Sequence, residues 1–308
     1  MAPAPSRRTV AIFCALLTVT IWGVNYPAMK VALREIHPLA YTGWRFVLAA
    51  ALLIGEAAWR REPALPPPGQ RGIAFLLALT GVGLYQWFFA WGVAETSGFA
   101  AALLNSTSPL FSALFVLLLG FERWTMRTAL GSLVAYGGVA LFVRSSPGGD
   151  AGSLTGDVLC LLSATTWAVY TVAAGRIPGR LTPFQSQFAT FVGGTVPLLF
   201  YCAPHMARQD YGAVSAGTWV ILLLSALFPL VLAFRLWTFA IRVLGVAQTT
   251  SFGFLVPVLA GVSSALWTGE TFGPEKLLSA GVVLAGLALT KAGGLGRAAR
   301  PDPSLVRR

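Results

Sequence analysis

The side chains in this sequence that can do chemistry are few, and their types suit holding a solute better than breaking a bond. Arg45 and Arg235 stand well inside long apolar runs. An ionised group in such a place faces a cavity or a partner, or else snorkels its tip to the lipid headgroups. Facing a cavity, either guanidinium would attract a carboxylate or another anionic group. The polar run Asn105, Ser106, Thr107, Ser108 directly precedes Pro109, which lacks an N–H and so frees a carbonyl. Loosened backbone of this kind is tolerated in lipid only beside protein or water. These residues either line a cavity or bond a neighbouring helix, and Asn25 and Gln86 carry the same two readings. Gln187 and Gln248 lie nearer the ends of their runs and are weaker candidates. Trp22, Tyr26, Trp87, Trp167 and Tyr170 offer ring faces to apolar or cationic groups, whereas most of the other tryptophans suit interfacial belts.

Catalytic groupings are missing from the sequence. The two histidines, His37 and His205, fall near the ends of apolar runs and outside any HExxH pattern. No GxxxxGK[ST] loop occurs, so nucleotide hydrolysis does not drive the molecule. Cys14, Cys160 and Cys202 have neither CxxC nor metal-ligand spacing and read as buried free thiols. We therefore expect no catalytic residue, no metal and no cofactor, and not an enzyme. Glu56 sits near one end of its run and Asp157 begins another, so proton coupling has no evident mid-membrane carboxylate.

The elements that must position these residues follow from composition. Of 308 residues, 56% are hydrophobic and 11% charged, less than half the charge of an ordinary soluble domain. The net charge of +11 would suggest nucleic acid in a soluble protein. Here the arginines fall between apolar runs, so membrane lipid, and no nucleic acid, is the expected partner. A span needs about 20 apolar residues, and runs meet or approach that length over 10–28, 39–59, 72–93, 99–119, 128–143, 157–175, 184–202, 218–241, 246–268 and 277–291. The first run is too long for a cleaved leader. With the N-terminus inside, only Lys30, Arg34, Arg144, Arg208 and Lys276 fall in outer loops, so both tails, 1–9 and 292–308, are expected in the cytoplasm.

The two halves also echo one another. Trp22 and Pro38 have the same spacing as Trp167 and Pro183, and Pro109 and Glu122 the same spacing as Pro257 and Glu270. Gly131 and Ala135 match Gly281 and Ala285, where close helix packing calls for small side chains. Five spans per half is an odd number, so the second half enters the membrane from the opposite side, a recurring design of secondary transporters. The expected fold is an all-α integral membrane protein of ten transmembrane helices arranged as two inverted five-helix repeats, 10–143 and 157–291.

Three stretches carry a family resemblance. IWGVNYPAMKVALREIHPLAYTGWRF, Ile21 to Phe46, resembles the repeat opening of the EamA-type branch of the drug/metabolite transporter superfamily. NSTSPLFSALFVLLLGFE, Asn105 to Glu122, and LVPVLAGVSSALWTGE, Leu255 to Glu270, resemble the fourth helix of each repeat. The resemblance implies a bacterial inner-membrane location and export or exchange of amino acids, related metabolites or drugs. We expect a monomer that moves a small-molecule substrate by alternating access, with a channel, a lipid scramblase and an embedded enzyme as the rival readings. The second repeat departs from the first at Ala168, opposite Gly23, and at Thr190, opposite Arg45. Any charge supplied by Arg45 is therefore not mirrored.

Overall fold

The computed structural model describes residues 7–61, 63–119, 125–144, 153–174, 182–244, 249 and 252–292. Among them there is no β-strand, and the helical segments group into rods that we number α1 to α10. The first five are α1 (Arg7–Ala32), α2 (Pro38–Arg60), α3 (71–95), α4 (98–118) and α5 (Met126–Arg144). Then come α6 (Leu154–Ala174), α7 (Pro183–Arg208), α8 (216–244), α9 (Leu255–Thr268) and α10 (Pro274–Ala292).

Local chemistry sets the starts and stops. Pro38 and Pro183 each occupy the first turn of a second helix, where a missing N–H is harmless. The preceding residues supply caps: the His37 ring accepts from the Leu39 N–H, and Thr182 forms a reciprocal capping box with Gln185. The matched spacing of Trp22–Pro38 and Trp167–Pro183 therefore records one helix followed by one helix start. At the far end of α9, Gly269 takes a left-handed φ of 67° to close the helix.

Both third helices contain a π-helical segment, Leu79–Leu84 in α3 and Ala226–Leu232 in α8. Both fourth helices break just before their proline. In α4, Ser106 and Thr107 interrupt the helix between Gly98–Asn105 and Ser108–Leu118, and α9 follows a turn at Gly253 and Phe254. Such interruptions free backbone carbonyls, which then need partners from neighbouring helices.

The packing exchanges the two halves. α1 packs on α8 and α9, as α6 packs on α3 and α4; α2 packs on α7, and α5 on α10. Close approaches use small residues. A Cβ on Gly23 would lie 2.7 Å from the Leu259 Cβ on α9, and one on Gly138 would lie 2.7 Å from the Val283 nitrogen on α10. The small face expected at Gly281 and Ala285 is corrected here. Both point outward, because α10 meets Ala135 through Gly286, roughly 140° round the helix from Gly281.

The outer surface is that of a membrane protein. Phe200, Leu266, Leu278, Leu118 and Leu133 are all at least 70% exposed, whereas a water-soluble chain would bury such residues. Among the described residues, five helices are long and apolar enough to cross a bilayer: Arg7–Ala32, Pro38–Arg60, Ala74–Glu95, Leu154–Ala173 and Ala216–Ile241. Ala129–Phe142 and Leu255–Thr268 are shorter apolar helices.

Candidate functional site

The residues singled out in the sequence fall into three places. The first is an aromatic compartment between α1, α2, α3 and α6. Trp167 and Tyr170 of α6 lie 5.0 Å apart, and Trp167 lies 5.0 Å from Tyr85 of α3, which stacks on Phe89 at 5.5 Å. Tyr26 of α1 meets Phe89 edge-on at 5.7 Å. The Tyr170 ring covers Gly81 of the π segment so closely that a Cβ there would collide with it. Tyr85 has one neighbour in the opposite half and lies within electrostatic range of Arg45. It is half-buried.

Arg45 closes one wall of this compartment, about 10 Å along α2 from its start. It does not snorkel: only 2% of its surface is exposed. One Nη donates to the Ser225 carbonyl at 3.3 Å, the other approaches the Met29 sulfur at 3.8 Å, and the guanidinium lies 5.4 Å from the centroid of the Tyr41 ring. The Ser225 carbonyl stands at the head of the π segment, four residues before Pro229, which has no N–H. Tyr41 adds a hydrogen bond to the Ser225 hydroxyl at 2.7 Å. The Arg45 Nε is buried without a partner, as are Thr42 Oγ1 and Gln86 Oε1. Asn25 is buried nearby in sequence on α1.

The second place lies toward the opposite end of α2. Arg235 of α8 is ion-paired with Glu56 of α2, which also holds Arg60 at 2.7 Å. Gln187 of α7 accepts from the Arg235 Nε at 3.3 Å and donates to the carbonyls of Leu230 and Val231, both at 3.3 Å. Trp22 donates to the Pro229 carbonyl at 3.2 Å and packs on Trp237 at 5.1 Å. Trp22 and Trp167, matched in the sequence, thus each serve the third helix of the other half. Gln187, near the end of its run, is 2% exposed and central to this cluster; Gln248 lies outside the described residues.

The third place is the break in α4. Ser106 and Thr107 turn their hydroxyls back onto the carbonyls of Leu103 and Leu104, each at 2.6 Å. Asn105 donates to Ala101 O at 2.9 Å and accepts from Ser163 of α6 at 2.6 Å. Asn105 and Ser106 are thus held in backbone and helix-to-helix bonds. Trp87 is 38% exposed and packs on Phe88.

At the other end of the bundle the connectors are clasped. Glu35 accepts from the Ser215 N–H at 2.8 Å and from its hydroxyl at 3.1 Å, which holds its carboxyl below the usual range. His37 stacks on His205 with ring centroids 4.1 Å apart, and burial together with that neighbour pushes its imidazole below its ordinary value. Among the described residues, no three His, Cys, Asp or Glu side chains gather as metal ligands.

Sequence reasoning missed Tyr41, Tyr85 and the pairing of Glu56 with Arg235. A lone tyrosine in an apolar helix carries no periodic signal, and the Glu56–Arg235 pair joins positions 179 residues apart.

Comparison with known proteins agrees with this architecture. The model of the EamA-like transporter family matches twice, over residues 9–144 and 154–291. The chain belongs to the EamA-like transporter family. A protein of Streptantibioticus cattleyicolor named a probable terminal-alkyne amino-acid exporter is 30% identical over 297 residues, covering 94% of this chain and 96% of that one. The inner membrane transporter YedA of Escherichia coli, itself uncharacterized, is 26% identical and covers 93% of this chain and 92% of its own length. One solved crystal structure shares the fold with a TM-score of 0.62 at 18% identity, over 91% of this chain and 95% of that one. The two family matches coincide with the two halves that exchange partners in the packing. The chain is a multi-pass membrane protein of a transporter family.

Proposed function

We propose that the molecule is a secondary transporter of the bacterial inner membrane that exports or exchanges small metabolites by alternating access. In this reading its ten rods all cross the bilayer as two inverted five-helix repeats, with both tails in the cytoplasm. It works as a monomer without a cofactor, because each repeat finds its partner within the same chain. The observation that carries the reading is the exchange of helix partners between the halves, centred on paired π segments in α3 and α8. Two packed halves with a shared interior can rock against each other, and interrupted helices supply the polar groups at mid-depth. The lysines and arginines of the loops on the side of the N-terminus support the orientation. The name of the Streptantibioticus relative favours amino acids within the metabolite class.

The test is counterflow in proteoliposomes holding purified protein, with amino acids, amines, purines and aromatic drugs inside and labelled counterparts outside. Saturable, trans-stimulated uptake of at least one class is the expected result. Flux that rises linearly with concentration would instead indicate a channel, and lipid flipping without solute movement a scramblase.

A further inference from the structure

Arg45 stands out because nothing charged answers it. Its guanidinium keeps its proton at any physiological pH. Its contacts among the described residues are a thioether, a backbone carbonyl and a tyrosine ring, all uncharged, with its Nε left over. Arg235 on α8 has Glu56, so this chain does supply a carboxylate to a membrane-embedded arginine elsewhere. A buried ion without a counter-charge is held against a desolvation penalty that no partner offsets. Closing the Ser225 carbonyl alone does not require a charge, since a neutral donor would satisfy it equally.

Beside Arg45 the compartment offers flat apolar surface. Tyr85, Trp167 and Tyr170 form a chain of rings with about 5 Å between neighbouring centroids, and each is only partly buried. Resting on the transport reading above, we infer that Arg45 is the counter-ion for a carboxylate on the transported solute. The solute's apolar body lies against the rings of Tyr85, Trp167 and Tyr170. One cation matches a monoanion; a dianionic phosphate would call for more positive charge than the contacts of Arg45 provide. Glutamine at position 45 keeps a neutral amide donor on a shorter side chain and removes the charge.

The experiment uses the full chain in proteoliposomes and five probes. Phenylalanine, leucine and phenylacetate carry the carboxylate; phenylalaninamide and leucinamide keep the body and lose it. The expected result is saturable counterflow, or competition for it, by the carboxylates over the amides. Arg45→Gln should weaken carboxylate binding about tenfold or more, the loss of one charge-assisted contact, while Arg45→Lys keeps part of the preference and Arg235→Gln keeps all of it. Equal handling of amides and carboxylates by the wild-type protein overturns the proposal, and that comparison stands even if Arg45→Gln fails to fold. An unchanged preference in a folded Arg45→Gln variant overturns it as well. Saturable flux of amines or drugs without carboxylates defeats this inference and leaves the transport reading intact, whereas the absence of saturable flux for every solute defeats both.

Discussion

Two arginines sit in the interior of this bundle under opposite conditions. Arg235 is ringed by partners: Glu56 from α2, Gln187 from α7, and through Gln187 the carbonyls of the α8 π segment. It is a cross-link between three helices with its charge answered. Arg45 is more deeply buried, and its guanidinium faces only neutral groups. Repeat symmetry does not place them as equals, since the mate of Arg45 is Thr190. The difference teaches that burial alone does not define a structural arginine. The answered charge holds helices together, and in the proposal above the unanswered one is kept for something that arrives from outside the chain.

Substituting each residue with methionine sharpens the contrast most. Arg45→Met should lower carboxylate flux about tenfold or more while the melting temperature in detergent stays level or rises, because the desolvated charge is gone. A falling melting temperature with intact flux would make Arg45 a structural residue and collapse the comparison.

Arg235→Met should behave in the reverse sense, destabilising the fold by about 1–2 kcal/mol, between the values for exposed and buried pairs since its side chain is 36% exposed. The double reversal Glu56→Arg with Arg235→Glu should recover much of that loss in the same melting assay. No recovery would show that the pair contributes shape rather than charge.

The smallest effect is expected at Trp22. Trp22→Phe keeps the contact with Trp237 and deletes the hydrogen bond to the Pro229 carbonyl, a loss of about 0.5–1.5 kcal/mol. Its carboxylate preference should match that of the wild type, because Trp22 belongs to the Arg235 side. A changed preference would merge the two regions into one site.

Part of this was legible in the sequence for plain reasons. Pro38 and Pro183 marked helix starts because proline fits the first turn, and Pro109 marked a real break at Ser106 and Thr107. Arg45 stood out because a charge in an apolar run is costly wherever it points. The small-residue pairing at Gly281 and Ala285 failed because a helix offers several faces, and only the crossing of α5 and α10 selects Gly286. The two π segments were invisible, since Leu79–Leu84 and Ala226–Leu232 read as ordinary apolar helix.

The sequence by itself determined the solvent, the helical elements and the internal duplication. Apolar run length, proline positions and spacing between matched residues are local quantities that survive in one dimension. Only the tertiary structure decided which arginine is answered and which is not. Glu56 and Arg235 belong to different halves of the chain, as do Arg45 and the Ser225 carbonyl. Whether a buried charge is neutralised depends on what packing brings within a few ångströms, and packing joins residues that the sequence keeps far apart.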